Sequence, residues 1–232
     1  PDDKFSNYKY RWEMCGRFAI TIPSDAMSQL FDAQPANNLP DLPNFNVCPT
    51  NSIHVVTYNG LGRKLESLRW GFVPNWYRTV NAGPLLINAR SETIAQKPAF
   101  ANASRERRCL IPCSGFYEWS KDLEGNKTPW FIKRNDDAPL VFGGVWQEWG
   151  YESEIIKTCA IVTTASNNKL SRIHHRLPLV LERSNWGFWL GEEGYGASAL
   201  MRPTADETLK AYRVSKNINS NRASGPDLVS PL

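Results

Sequence analysis

The sequence lacks a long hydrophobic run, and this absence excludes a membrane-spanning helix. No window of the 232 residues approaches the roughly 18 apolar residues that such a helix requires. Residues 1–13 contain six charged side chains and no apolar stretch, so we expect no secretory signal peptide. These features predict a soluble cytoplasmic protein that does not bind membranes.

Neither sign of charge is in large excess. The sequence has 27 Lys and Arg against 23 Asp and Glu, a net charge of +4, and 41% of its residues are hydrophobic. This composition excludes intrinsic disorder, and it falls short of the strongly basic composition of an obligate nucleic-acid binder. A polyanionic partner is still compatible with the mildly basic balance.

Cysteines are few and widely spread. Of the five cysteines, Cys109 and Cys113 lie close together in the sequence, and no second close pair completes the four ligands of a structural zinc site. An odd number at this spacing favours reduced thiols over a disulfide scaffold. We therefore expect no metal and no cofactor.

The chain does contain many short strand-like segments separated by turns. β-Branched and aromatic residues at 53–58 precede the hairpin signal Asn59-Gly60 and the alternating segment 64–70. Because regular helices do not alternate with the strands, the pattern predicts an α+β protein with a mostly antiparallel, barrel-like sheet and a few short helices. The same criteria predict further strands at 108–111, 116–119, 130–133, 140–146, 158–163 and 177–181.

The helical segments are short. Ser24 is predicted as the N-cap of the first helix, and further helices are predicted at 91–97 and 184–190. Thr204 and Glu207 have the spacing of a capping box for a last helix.

No linker-like segment divides the chain, so we predict one domain. It spans residues 15–219, after an N-terminal extension at 1–14 and before a loosely ordered C-terminal tail at 220–232.

Four short segments combine side chains that can perform chemistry. They are Met14–Phe18, Asn88–Glu92, Gly115–Trp119 and Ile173–Pro178. Taken singly, each has a structural explanation, since a lone cysteine is usually a small buried hydrophobe. Together they supply a thiol, a carboxylate, an imidazole, a carboxamide and several guanidinium groups, which are the groups of a nucleophilic site for an anionic substrate.

These segments resemble those of the SOS response-associated peptidase (SRAP) family. Similar blocks at 70–76, 97–100, 108–112, 143–146 and 163–165 extend the resemblance from Cys15 to about Ser215. The resemblance implies a DNA damage response protein that recognises abasic sites in single-stranded DNA and links itself covalently to them. We expect it to act as a monomer.

The resemblance also implies that Cys15 becomes N-terminal when Met14 is removed. An N-terminal cysteine carries an amine and a thiol two carbons apart. The amine condenses with the aldehyde of a ring-opened abasic sugar, and the thiol then adds to the imine carbon to close a thiazolidine ring. An α-amine has an ordinary pKa of about 7.7–8.0, so part of it is unprotonated at neutral pH. An internal cysteine has no amine and cannot close this ring.

Further catalytic roles follow from the resemblance for Asn88, Glu118 and His174. Glu118 is expected to act as a general acid and base, and His174 to transfer protons to the sugar oxygen or the leaving phosphate. Asn88 is expected to orient the amine or the sugar. His175 occupies a variable position of the family motif.

Five residues are predicted to bind DNA. Three arginines lie two positions from a catalytic residue, which keeps both side chains on one face of a strand, and their guanidinium groups can bind phosphates. Two tryptophans offer faces for stacking on unpaired bases, with burial in the core as the competing interpretation. The five residues are Arg17, Arg90, Arg176, Trp70 and Trp119.

The residues before Cys15 depart from the family pattern, and three explanations are open. Translation begins at Met14, or Cys15 removes a propeptide by attacking the Met14 carbonyl, or the extension stays and the protein only binds DNA. We favour translation from Met14, because Met14–Arg17 is a complete family start.

Two other functions are open. One is a thiol peptidase that acts on other proteins through Cys15, Glu118 and His174. The other is a non-covalent single-stranded DNA-binding module. A denaturing gel with abasic DNA separates them from crosslinking, because only a covalent adduct survives heating and only simple binding is fully salt-sensitive.

Overall fold

The computed structural model describes residues 16–36, 38–151 and 153–232. Strands dominate this part of the chain and the helices are short. The strands are β1 (Phe18–Ile20), β2 (Ala33–Pro35), β3 (Asn44–Val47), β4 (Ser52–Tyr58), β5 (Arg63–Trp70), β6 (Asn88–Arg90), β7 (Arg108–Cys113), β8 (Gly115–Lys121), β9 (Lys127–Arg134), β10 (Leu140–Tyr151), β11 (Glu154–Ala165), β12 (Arg176–Pro178) and β13 (Leu209–Arg213). The α-helices are α1 (Ser24–Phe31), α2 (Ala101–Glu106) and α3 (Trp186–Leu190), and 3-10 helices span Arg183–Asn185, Ala197–Leu200, Lys216–Asn219 and Pro226–Val229.

Five strands close into a barrel. Strands β11, β10, β7, β4 and β5 are antiparallel neighbours in that order. Strand β5 then pairs in parallel with β11, where Trp70 lies opposite Cys159. Fully buried side chains such as Val56, Leu110 and Ile161 fill the core, and each contributes about 1.5–3 kcal/mol through burial. The predicted fold class is confirmed.

A second sheet carries the strands that position the site. Its order is β13-β9-β8-β1-β3. Strand β8 lies between β9, where Glu118 is opposite Trp130, and β1, where Phe18 is opposite Phe116. Continuing the β1–β8 register by two residues brings Gly16 opposite Glu118. The start of the described chain therefore lies beside this glutamate.

Two local helix predictions are wrong. Residues 91–97 form turns, because the backbone N–H of Ser91 donates a hydrogen bond to the carbonyl of Thr163 on β11 at 2.9 Å. The helix begins only at Ala101, after Pro98. Thr204 precedes turns that lead into β13, which pairs with β9. Sheet pairing overrides the local capping signal there.

The predicted N-cap is also displaced by one residue. Pro23 occupies the N-cap position, and Ser24 is the first residue of α1. The Ser24 hydroxyl lies 3.3 Å from Nε2 of the buried His54 and makes no cap hydrogen bond.

Residues 220–232 pack on the domain, so the prediction of a loosely ordered tail is wrong. Asn46 Nδ2 donates hydrogen bonds to the carbonyls of Ser220 at 3.1 Å and Ala223 at 2.7 Å. Leu228 is buried in a small cluster with Tyr117. The predicted extension at 1–14 lies outside the described residues. Among the helices of the described chain, none is both long and apolar enough to cross a membrane.

Candidate functional site

A pocket of about 800 Å³ lies where the β1–β8 pair meets the C-terminal segment. This volume is in the range of protein ligand sites. Four separated parts of the chain line it. The lining residues are Gly16 and Arg17; Glu118, Trp119, Lys121 and Lys127; Ser171, Arg172, Ile173, His174 and His175; and Asn219 and Asn221.

Glu118 is a buried acid in this pocket, with only 3% of its surface exposed. Burial raises the pKa of Glu118 from 4.5 to about 8, and a hydrogen bond from the Trp119 backbone offsets part of this effect. Among the described residues, its Oε1 atom has no hydrogen-bond partner. Glu118 is therefore mostly protonated at neutral pH and can donate a proton to a molecule in the pocket.

His174 lies next to this acid. Its Nδ1 atom is 3.9 Å from Glu118 Oε1 and within hydrogen-bond distance of the Arg176 backbone, 2.9 Å from the carbonyl and 3.1 Å from the nitrogen. The exposed His175 packs against it with ring centroids 4.5 Å apart. These contacts hold the imidazole in a fixed orientation at the pocket wall.

Arg17 lies at the same pocket with its guanidinium held by three acceptors. Nη1 donates to Asn46 Oδ1 at 2.7 Å and to the Ile218 carbonyl at 2.9 Å, and Nη2 donates to Asn221 Oδ1 at 2.5 Å. The fixed charge next to Gly16 suits an anionic substrate group.

Trp119 is half-buried at the pocket edge. Its indole N–H donates to Asn219 Oδ1 at 2.8 Å, which fixes the plane of the ring. A half-buried indole with a fixed plane can stack its accessible face on an unpaired base.

Asn88 and Arg90 are not among the residues that line the pocket. Both are on β6, which runs parallel to β11, with Asn88 opposite Ile161 and Arg90 opposite Thr163. Asn88 is half-buried and Arg90 is exposed at the strand end. Their predicted roles stay predictions.

Trp70 does not offer a stacking face. Its side chain is fully buried, its N–H donates to the Ile87 carbonyl at 3.0 Å, and its ring packs against Phe18 with centroids 5.1 Å apart. The prediction that Trp70 stacks on bases is wrong, because both faces are covered by the protein core.

Arg176 has its guanidinium occupied by protein groups. It makes a bidentate ion pair with Glu92 at 2.6 and 2.9 Å and donates to the Thr163 carbonyl at 2.6 Å. The side chain is also nearly buried. The Glu92 carboxylate competes with DNA for this charge, and the predicted phosphate contact of Arg176 stays a prediction.

Cys15 lies outside the described residues. The described cysteines are poor nucleophiles: Cys109, Cys113 and Cys159 are fully buried, and burial raises the pKa of each thiol. Burial also raises the pKa of the half-buried Cys48. A thiol with a raised pKa is poorly reactive.

Several lining residues were not predicted from the sequence. Lys121, Lys127 and Arg172 add positive charge to that of Arg17, while the lining carboxyl of Glu118 is mostly neutral. Lys121 lies two residues after the Gly115–Trp119 segment, and Lys127 pairs with Lys121 across the hairpin, so their spacing could have indicated them. In the described part of the chain, no three His, Cys, Asp or Glu side chains gather as metal ligands.

Comparison with known proteins places these residues in a family. The chain matches the family described as SOS response associated peptidase (SRAP) over residues 14–221. It belongs to the SRAP family. The match confirms the predicted family.

Relatives match over nearly their full lengths. "Abasic site processing protein YoqW" of Bacillus subtilis (strain 168) is 32% identical over 223 residues, covering 93% of this chain and 99% of its own. "Abasic site processing protein YedK" of Escherichia coli (strain K12) is 27% identical over 228 residues, covering 94% and 100%. A crystal structure from Bacteroides thetaiotaomicron shares the SRAP fold with a TM-score of 0.83 at 22% identity, covering 94% and 100%.

Proposed function

We propose that this SRAP protein processes abasic sites in single-stranded DNA by forming a thiazolidine crosslink through an N-terminal Cys15. The observation that carries the proposal is the buried Glu118, which faces His174 in a cationic pocket. Gly16, to which Cys15 is bonded, lines that pocket. Two relatives named as abasic site processing proteins support the same substrate.

The chemistry begins with the ring-opened abasic sugar, which carries an aldehyde. The Cys15 amine adds to the aldehyde carbon and forms a carbinolamine. Protonated Glu118 donates its proton to the carbinolamine hydroxyl, which leaves as water while the nitrogen lone pair forms an iminium ion. The N–H proton of this ion then returns to the Glu118 carboxylate and leaves the neutral imine.

Ring closure follows on the same carbon. The Cys15 sulfur adds to the imine carbon, its proton passes to the nitrogen through Glu118 or His174, and a five-membered thiazolidine results. The net reaction joins one aldehyde and one aminothiol and releases one water, with no oxidant or reductant.

The charge of the pocket favours DNA as the aldehyde carrier. Arg17, Lys121, Lys127 and Arg172 line it, and their positive charges suit the phosphates next to the lesion. Trp119 provides a face on which an unpaired base can stack, which favours a single strand.

The experiment combines a denaturing gel with intact mass measurement. Protein made from the Met14 start and protein made from the Pro1 start are each incubated with an oligonucleotide that carries one abasic site. We expect a heat-stable adduct wherever mass measurement shows Cys15 to be N-terminal, and none with uncleaved Pro1-start protein. Pro1-start protein that shortens to Cys15 on its own identifies self-processing.

Two cysteine variants provide the controls. Cys15→Ala should abolish the adduct and keep non-covalent binding, because the pocket cations remain. Cys48→Ala removes another thiol and should crosslink like the wild type. An adduct with Cys15→Ala, or equal crosslinking by the uncleaved long form, rules out the aminothiol mechanism. Casein cleavage without an adduct favours the thiol peptidase instead.

A further inference from the structure

Arg17 is a nearly buried cation that has no carboxylate partner among the described residues. Only 9% of its surface is exposed, and within this part of the chain its three hydrogen-bond acceptors are the neutral oxygens of Asn46, Ile218 and Asn221. Buried arginines are ordinarily paired with an acid, because an uncompensated charge is costly away from water. The unneutralised charge of Arg17 therefore calls for an explanation.

The ionisable side chains around Arg17 do not supply the missing negative charge. Cys48 and Tyr117 both interact electrostatically with it, but burial raises the pKa of the thiol and of the phenol, so both are neutral at pH 7. Glu118 lines the same pocket and is mostly protonated at this pH. The guanidinium keeps its full positive charge at the pocket wall.

Asn46 is locked in the orientation that faces Arg17. Its Nδ2 group donates to the carbonyls of Ser220 and Ala223, so its Oδ1 atom is directed to the guanidinium. Asn221 completes the arrangement from the C-terminal segment, 204 positions away from Arg17 in the sequence. Two amides thus hold the arginine where an aspartate would neutralise it.

We infer that Arg17, Asn46 and Asn221 form a preorganised subsite for one phosphodiester of the DNA strand, in which the two asparagines are positioning residues. They fix the guanidinium without compensating its charge, and the DNA phosphate supplies the missing anion. The inference rests on the proposed function for the identity of the anion. It assigns the C-terminal segment, beyond the expected domain end, a part in DNA binding.

The decisive variant is Asn221→Asp. It keeps an acceptor next to Arg17 Nη2 and adds the carboxylate that the native site lacks. Because a hydrogen bond to a charged group is worth a factor of about ten or more in binding, we expect about tenfold weaker binding of a single-stranded oligonucleotide carrying a tetrahydrofuran abasic analogue. The slope of log Kd against log salt should fall by about 0.7, the value for one phosphate contact on a single strand. Fluorescence anisotropy at several salt concentrations measures both.

A purely structural role predicts the opposite result. If Arg17 only ties the chain ends together, Asn221→Asp strengthens that tie, and both Tm and DNA affinity stay at or above wild-type values. Our expectation is an undiminished Tm with weakened binding. Wild-type affinity and slope in Asn221→Asp overturn the subsite.

Three further variants make the test specific. Asn221→Ala removes one acceptor of Arg17 but adds no charge, so it should weaken binding less than Asn221→Asp does and keep the wild-type salt slope. Asn217→Asp adds the same charge to an exposed position outside the pocket lining and should bind like the wild type. Equal weakening by either variant shows that neutralisation is not the cause and overturns the inference. Arg17→Gln removes the charge and should reproduce the slope of Asn221→Asp.

The outcome is independent of the crosslinking chemistry. The tetrahydrofuran analogue has no aldehyde, so its binding tests the subsite alone. Failure of the wild-type protein to form an adduct with aldehyde-bearing DNA contradicts the proposed function, whereas unchanged analogue binding by Asn221→Asp contradicts only the subsite.

Discussion

Glu118 Oε1 and His174 Nδ1 lie 3.9 Å apart across the wall of one pocket. The separation is too long for a direct hydrogen bond, yet short enough for the charge of either group to affect the other. Both side chains line the same pocket, where each can reach the same bound molecule.

The rate of crosslinking should depend on pH through Glu118. We expect the rate to rise as the Cys15 α-amine loses its proton, with an ordinary pKa of about 7.7–8.0. Above pH 8 the rate should fall, because the carboxyl of Glu118, with its pKa raised to about 8, can no longer donate a proton. Glu118→Gln should be about 100-fold slower and lack the alkaline fall. Single-turnover gels between pH 5 and 9 test this, and a variant with wild-type kinetics removes Glu118 from the mechanism.

The stability of the full chain should also depend on pH through the raised pKa of Glu118. Because burial raises the pKa of Glu118 from 4.5 in the exposed state to about 8, the folded protein retains a proton that the unfolded chain loses in this range. Stability from this group is fully present below pH 4.5 and declines up to about pH 8. The Tm of wild type relative to Glu118→Gln should therefore fall from pH 4.5 to 8. Glu148→Gln changes an exposed carboxylate on β10 and should show no such trend.

Replacing Arg176 by alanine should reduce stability, whereas replacing Arg90 by alanine should weaken DNA binding. Arg176→Ala should lower the free energy of unfolding by about 1–3 kcal/mol, because the nearly buried guanidinium loses its hydrogen bonds to the Glu92 carboxylate and the Thr163 carbonyl. Arg90→Ala should change that energy by less than about 0.5 kcal/mol, since Arg90 is exposed. The slope of log Kd against log salt for DNA binding should fall by about 0.7 in Arg90→Ala and stay unchanged in Arg176→Ala. Denaturant titration and anisotropy on both variants decide the assignment, and equal slopes in the two would refute it.

Replacing Trp70 should affect stability, whereas replacing Trp119 should affect DNA binding. Trp70→Ala removes a fully buried ring and should cost about 3–5 kcal/mol of stability. Trp119→Ala should leave the core intact and weaken binding of single-stranded DNA by about 1–3 kcal/mol. Thermal melts and anisotropy on the same samples measure both effects. A Trp119→Ala protein that binds normally shows that no base stacks on this ring.

Local patterns predicted the strands well. The segments at 53–58 and 64–70 became β4 and β5 because β-branched residues and an Asn-Gly turn act over a few residues. The helix predicted at 91–97 failed because its first residue bonds to β11, a partner that no local pattern reveals.

Site residues that belong to a sequence motif were predicted to act together, whereas contacts that depend on tertiary packing were not predicted. Glu118 and His174 were found through their motifs, and they do share a pocket. Composition could not distinguish the buried Trp70 from the accessible Trp119. The partnership of Arg176 with Glu92 also requires the folded sheet, because 84 positions separate them in the sequence.

The hydrogen bond from Arg17 to Asn221 also has a consequence for biosynthesis. The ribosome makes Cys15 about 200 residues before Asn221, so the growing chain has no complete pocket until the last segment is made. If the proposed mechanism holds, an N-terminal aminothiol meets small aldehydes during this interval without Glu118 to speed the reaction or Arg17 to bind a phosphate. On the proposed function, selectivity for a DNA lesion is then acquired only when the last segment of the pocket has folded into place.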